Sequence, residues 1–124
     1  MSQTTDETQI RTVVKEWVQA VCDADMKGIL AAHTDDVVLF DVPPPLQIRG
    51  IEEYKKAWDL YFTFTSGGKG TFEVLDLELS VGDNVAFGHS LIHVAGSTAR
   101  LTLGFRKIDG KWYIAHEHHS FPAE

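Results

Sequence analysis

A chain of 124 residues, 44% hydrophobic and 10% aromatic, is long enough for one core, too short for two and too apolar for disorder. Its formal charge of -7 comes with no Lys- or Arg-rich stretch, which excludes the basic stripe of a nucleic-acid binder and disfavours docking on anionic lipid. Cys22 is the only cysteine, which excludes an internal disulfide; with a polar, acidic start and no long apolar run, a cytoplasmic chain without signal peptide or membrane span is expected.

Thr4 and Glu7 form a capping-box pattern. Ile10, Val13, Val14, Trp17, Val18 and Val21 then recur at helical spacing, predicting a helix to about residue 23. Asp25 is a suitable N-cap for a short second helix over 26–32. Residues 37–42 read as a strand that Pro43-Pro44-Pro45 must end, because proline lacks the N–H a ladder needs. A short extended piece follows over 46–49, closed by Gly50. Ile51, Tyr54, Trp58 and Tyr61 lie on one face of a third helix.

After the glycine-rich loop 66–70, four β segments are expected over 71–81, 84–95, 98–107 and 111–119. Turns at Gly82-Asp83-Asn84, Ala95-Gly96-Ser97 and Asp109-Gly110 separate them. Apolar parity changes between Val74 and Leu75, which predicts a β-bulge there. The order α-α-β-β-α-β-β-β-β calls for one α+β domain over 1–124. Its three helices pack in the concave face of a strongly curved mixed or antiparallel sheet.

Two stretches carry a family resemblance. The first runs from Asp25-Met26-Lys27-Gly28-Ile29 through Asp35-Asp36-Val37-Val38-Leu39-Phe40-Asp41 to Gly50-Ile51-Glu52-Glu53-Tyr54. The second is Arg100 to Lys107 followed by Asp109-Gly110-Lys111-Trp112-Tyr113-Ile114-Ala115-His116-Glu117-His118-His119-Ser120. Together they resemble SnoaL-like and ketosteroid-isomerase-like proteins of the nuclear-transport-factor-2-like superfamily, and also the association domains of calmodulin-dependent kinases. The resemblance implies a cystatin-like α+β cone with a small-molecule pocket and no cofactor. It also implies that Asp41, at the end of the first strand, shuttles a proton on a bound substrate. The isomerase's remaining donors do not carry over, since Trp17 stands where the phenol belongs and Leu103 where the neutral acid belongs. Standard steroid isomerisation is therefore not expected.

The residues leave alternatives open. Asp41 at an apolar pocket has the physics of a general base, and it equally suits capping of the proline loop through backbone N–H groups. There are six histidines, three of them near the C-terminus. Strict strand alternation puts Trp112, Ile114, His116 and His118 on one face and Tyr113, Ala115, Glu117 and His119 on the other. The Trp/Ile face belongs to the core, so His116 and His118 are expected at the pocket beside Asp41. A two-residue turn at Asp109-Gly110 puts Arg100 on the outer face; a three-residue turn pairs it with His118 inside.

His118 with Arg100 would hold a carboxylate or enolate, whereas His116 or His118 with Asp41 would form an acid–base pair. A metal site on His116-x-His118 lacks a carboxylate on the same face. The structural alternative pairs Glu117 with Arg100 or His119. His89 alternates with Phe87 and Leu91 and is a further candidate for the cavity, with Trp58 and Tyr61 as its walls. His33 would end the second helix, favoured by the helix dipole. Two function classes remain: a cofactor-free enzyme doing acid–base chemistry on a small apolar or carboxylate-bearing carbonyl compound, and a non-catalytic binding or association module. Under either, a homodimer through the outer sheet face is expected.

Overall fold

The protein is described by a computed structural model covering residues 2–123, with side chains from residue 5 onward. Its elements are α1 (Ser2–Cys22), α2 (Met26–Ala31), β1 (His33–Phe40), β2 (Ile48–Arg49), α3 (Ile51–Phe64), β3 (Phe72–Val81), β4 (Val85–Val94), β5 (Ser97–Ile108) and β6 (Lys111–Ser120). The backbone is already helical at Thr4, so no helix starts there; the Thr4 side chain lies outside the described residues. Asp25 caps α2 by accepting the Gly28 N–H at 3.1 Å. Among the described residues no helix is long and apolar enough to cross a membrane.

The strands form one mixed six-stranded sheet in the order β2-β1-β6-β5-β4-β3. Only the β1–β6 pair is parallel, because the last four strands are joined by hairpins. Ala95-Gly96 and Asp109-Gly110 both carry two consecutive positive φ angles, the twist that matches right-handed strands across a two-residue turn. The sheet curves around the helices. Ile10, Val14, Trp17 and Val21 of α1 and Tyr54 and Trp58 of α3 pack on its inner residues, among them Ile92, Leu101, Leu103, Phe105, Trp112 and Ile114.

Two bulges set which side chains face inward. In β3, Leu75 pairs with Leu91 and Glu78 with His89, so Asp76 and Leu77 oppose the single residue Ser90. Asp76 takes φ 54° to do so, just beyond the expected position at Val74–Leu75. In β6 the two-residue turn is kept as far as the Phe105–Ile114 pair. Gly104 then pairs with His116, leaving Ala115 as an extra residue. A one-residue insertion inverts the facing of everything beyond it. Trp112 and Ile114 therefore face the core, and after the bulge Glu117 and His119 do so in place of His116 and His118.

Candidate active site

A cavity of about 550 Å³ opens between α3, the loop after β1 and the far ends of β4, β5 and β6. Most of its wall is apolar: Leu39, Pro43, Pro44, Pro45, Ile48, Trp58, Leu60, Tyr61, Phe64, Phe72, Ile92 and Phe121. Its polar groups are few, namely Asp41, Ser97, Glu117, His119 and, at the rim, Glu53 ion-paired with Lys56 at 2.9 Å. Its volume and character suit a small organic molecule.

The inner end is built around Glu117, whose side chain is wholly buried. Its Oε1 accepts from His119 Nε2 at 2.9 Å and its Oε2 accepts from the Tyr54 hydroxyl at 2.5 Å; Oε2 also lies against His33 Nε2. The Tyr54 oxygen is 2.7 Å from the same His33 nitrogen, and His33 Nδ1 donates to the Ile29 carbonyl of α2 at 2.7 Å. The four members come from three elements: His33 opens β1, Tyr54 faces inward from α3, and the Ala115 bulge turns Glu117 and His119 inward on β6. His33 does not end the second helix as expected: α2 stops at Ala31 and His33 opens β1, reaching back to α2 only through its hydrogen bond to the Ile29 carbonyl.

Burial works to raise the Glu117 pKa, yet hydrogen bonds from His119 and His33, with their charges, bring it down to about 2. Burial works against the His119 imidazolium, but the hydrogen bond to Glu117 and the attraction of Glu117 and Asp41 raise its pKa. Tyr54 is pushed well above the usual phenol range by burial and by Glu117, the indoles of Trp58 and Trp17 pulling weakly the other way. Those two indole N–H groups and the Tyr61 hydroxyl are buried without a hydrogen-bond partner of ordinary geometry. An ionised carboxylate thus holds a cation-prone histidine on a largely apolar wall.

The sequence-derived candidates divide between cavity, core and outer face. Asp41, Trp58 and Tyr61 line the cavity. Asp41 is half-buried and also accepts the Val42 N–H at 2.8 Å, so it caps its loop from a cavity position. Trp17 and Leu103 are fully buried behind the cavity rather than in its wall. His116 and His118 face away from it: His116 Nδ1 donates to the Val38 carbonyl at 2.8 Å, and both rings lie edge-on to Phe40. His89 is exposed on the outer face in register with Thr102, and Arg100 is exposed opposite Ser120.

The expectation of His116 and His118 at the pocket is corrected by the bulge, and that of His89 by the facing of β4. For Arg100 the two-residue turn puts it outside. The residues missed as a site are His33, Tyr54, Glu117 and His119. Only the pairing of Glu117 with His119 was legible, as a structural contact. Among the described residues no group of three or more His, Cys, Asp or Glu is disposed to hold a metal.

The SnoaL-like domain family matches residues 10–124. The chain belongs to the SnoaL-like family. It is similar to the structure of an NTF2-like protein of unknown function from Pseudomonas putida, with 32% identity and TM-score 0.87, covering 98% of this chain and 89% of that one. A protein of unknown function with a cystatin-like fold from Nostoc punctiforme shares 18% identity at TM-score 0.80, over 96% and 93% of the two chains. A protein from Parabacteroides distasonis, described as a candidate ketosteroid isomerase, shares 18% identity at TM-score 0.68, over 91% and 85%. At those identities the last two speak for the cystatin-like fold alone. No curated protein matches the chain. SnoaL-like membership supports a small-molecule-binding domain and leaves the chemistry to be argued from the cavity.

Proposed function

We propose that this SnoaL-like protein is a cofactor-free acid–base enzyme acting on a small, mostly apolar carbonyl compound. The observation that carries the reading is the Glu117–His119 ion pair on the wall of a cavity that is otherwise largely aromatic and aliphatic. Glu117 orients His119 and favours its charged form, so His119 donates a hydrogen bond or a proton to the substrate oxygen. Asp41, on the same wall and close enough to influence His119, takes the proton from the neighbouring carbon. Isomerisation, dehydration and aldol-type ring closure all begin with that step. The single cysteine and the acidic balance support a cytoplasmic setting.

The step is measurable as exchange of α-protons for deuterium in cyclic ketones, followed by NMR in heavy water. Wild-type protein should accelerate exchange for at least one ketone of two or three rings. Asp41→Asn and His119→Gln should each lose 10²-fold or more, the usual worth of a positioned acid or base. Equal exchange in wild type and both variants contradicts the assignment.

A second reading, an association surface, is favoured by the outer face of the sheet. Val85, Phe87 and Leu91 of β4 stand exposed there, and on the far side of β5 the rings of His116 and His118 lie edge-on to Phe40. A second copy packed face to face would cover this patch and make the protein a homodimer, compatible with chemistry in each cavity.

A further inference from the structure

The ionisable groups of the cavity gather at one end of it. Asp41 follows β1 directly, and Glu117 and His119 stand on β6, the next strand of the sheet. The three strands beyond bring no ionisable group to the wall: β5 gives Ser97 and Ala99, β4 gives Ile92 and Val94, and β3 gives Phe72. Helix α3, which faces them, is graded in the same direction. Its first half packs beside β1 and brings the Glu53–Lys56 pair; its second half leads into the 65–71 loop towards β3 and brings Leu60 and Phe64. Leu60 is 46% and Phe64 82% exposed, although both line the cavity. Large apolar side chains left in water along an apolar trough are what a bound molecule would cover.

We infer that the cavity takes an elongated ligand, with its carbonyl end at Asp41 and His119 and an unbranched apolar tail laid across β5 and β4 to Phe64. This rests on the cavity being the ligand site. Neighbouring strands lie about 4.8 Å apart, so the three spacings from β6 to β3 make a path of about 14 Å along the sheet. An extended carbon chain advances about 1.3 Å per carbon, which makes the tail roughly ten carbons beyond the carbonyl. A charge on that tail would meet no partner on β5, β4 or β3, so the tail is apolar to its end. The class selected is a long-chain ketone. A compact cage with the same number of carbons would stop near β5 and leave Phe64 in water. Phe64 is a specificity-determining residue: it covers the far end of the tail and stays clear of the reacting carbonyl.

The test is a binding series on the intact protein, read by tryptophan fluorescence because Trp58 lines the cavity. The probes are 2-hexanone, 2-nonanone and 2-dodecanone, with 1-adamantyl methyl ketone as a compact molecule of the same carbon count as the last. Each added carbon should tighten binding about threefold, so that 2-dodecanone binds at least about a hundredfold more tightly than 2-hexanone. The adamantyl ketone should bind at least about tenfold more weakly than 2-dodecanone. Phe64→Ser changes an exposed side chain and should weaken 2-dodecanone about fivefold or more while leaving 2-hexanone in place. Leu91→Ser, on the outer sheet face, should change neither. A gain of less than about tenfold along the series, an adamantyl ketone that matches 2-dodecanone, or a Phe64→Ser variant that treats both chain lengths alike would each overturn the inference. If no ketone binds, the inference fails together with the cavity reading. Length-dependent binding that passes these tests without accelerated exchange of the ketone's α-protons supports the inference and removes the proposed chemistry alone.

Discussion

Glu117→Gln is the sharpest single perturbation, because the carboxylate has no solvent exposure and three side chains bond to it. In the folded protein its pKa lies near 2 against an ordinary 4.5. At 1.36 kcal/mol per pKa unit, that difference makes the ionised group worth about 3 kcal/mol of stability. The sign follows from the direction. A depressed carboxylate pKa gives stability that is fully present above about 4.5 and lost as pH falls towards 2. His119 contributes the opposite way: its raised pKa gives stability present below 6.5 and lost as pH rises through the folded value. Both describe one ion pair, so they shape one profile, with a maximum between about pH 5 and 7, and are not summed.

Glutamine removes the charge and strands the imidazoles, which for a broken buried pair costs about 3–5 kcal/mol at neutral pH. Urea unfolding at pH 3, 4.5, 6 and 8 reads this out. Wild type should lose stability steeply below pH 4.5; the variant should start lower and lose less over that interval, keeping only the acid slope of other depressed carboxylates such as Asp6 and Asp36. A variant within about 1 kcal/mol of wild type at pH 6, or one with the same acid slope, would refute the buried ion-pair network.

Further outcomes can be checked on the same scale. Tyr54→Phe removes a donor to Glu117 and should cost about 1–3 kcal/mol in urea unfolding while raising the Glu117 midpoint. Gly67→Ala should cost about 2–4 kcal/mol, because φ there is 85° and a Cβ would stand 2.6 Å from the Cys22 carbonyl oxygen. Gly96→Asn, at φ 80° but with no atom near the added Cβ, should cost only about 1 kcal/mol or less. Leu91→Glu on the exposed outer face should change monomer stability by roughly 0.5 kcal/mol or less and yet abolish dimers in sedimentation, if the sheets pair there.

The elements were legible because each had its own local signal. The helical spacing of Ile10 to Val21, the aromatic face from Tyr54 to Tyr61 and the Asp109-Gly110 turn all specify structure within a few residues. The site was less legible, for one main reason. Strand alternation correctly assigns Trp112 and Ile114 to the core and then fails at Ala115, where β6 gains a residue opposite Gly104. Alanine suits either face of a strand and sits in a bulge without announcing it. Gly104 has no side chain to fix the pairing, so the slip is decided by the match of β6 to β1 and β5 together. In β3 the parity change was visible because Leu75 and Leu77 are large, and the bulge falls within two residues of the expected place. His33 lay hidden for another reason: between Ala32 and Thr34 it reads as a helix-end residue, and only the return of β6 puts a carboxylate against it.

The account turns on which histidine faces the cavity. Titrating the protein with 2-dodecanone while following the histidine C2–H signals by NMR asks this directly. The His119 signal should shift in step with binding, and those of His116, His118 and His89 should stay in place. Movement of His116 or His118 with a stationary His119 would contradict the account, because it would mean that β6 presents its other face to the ligand.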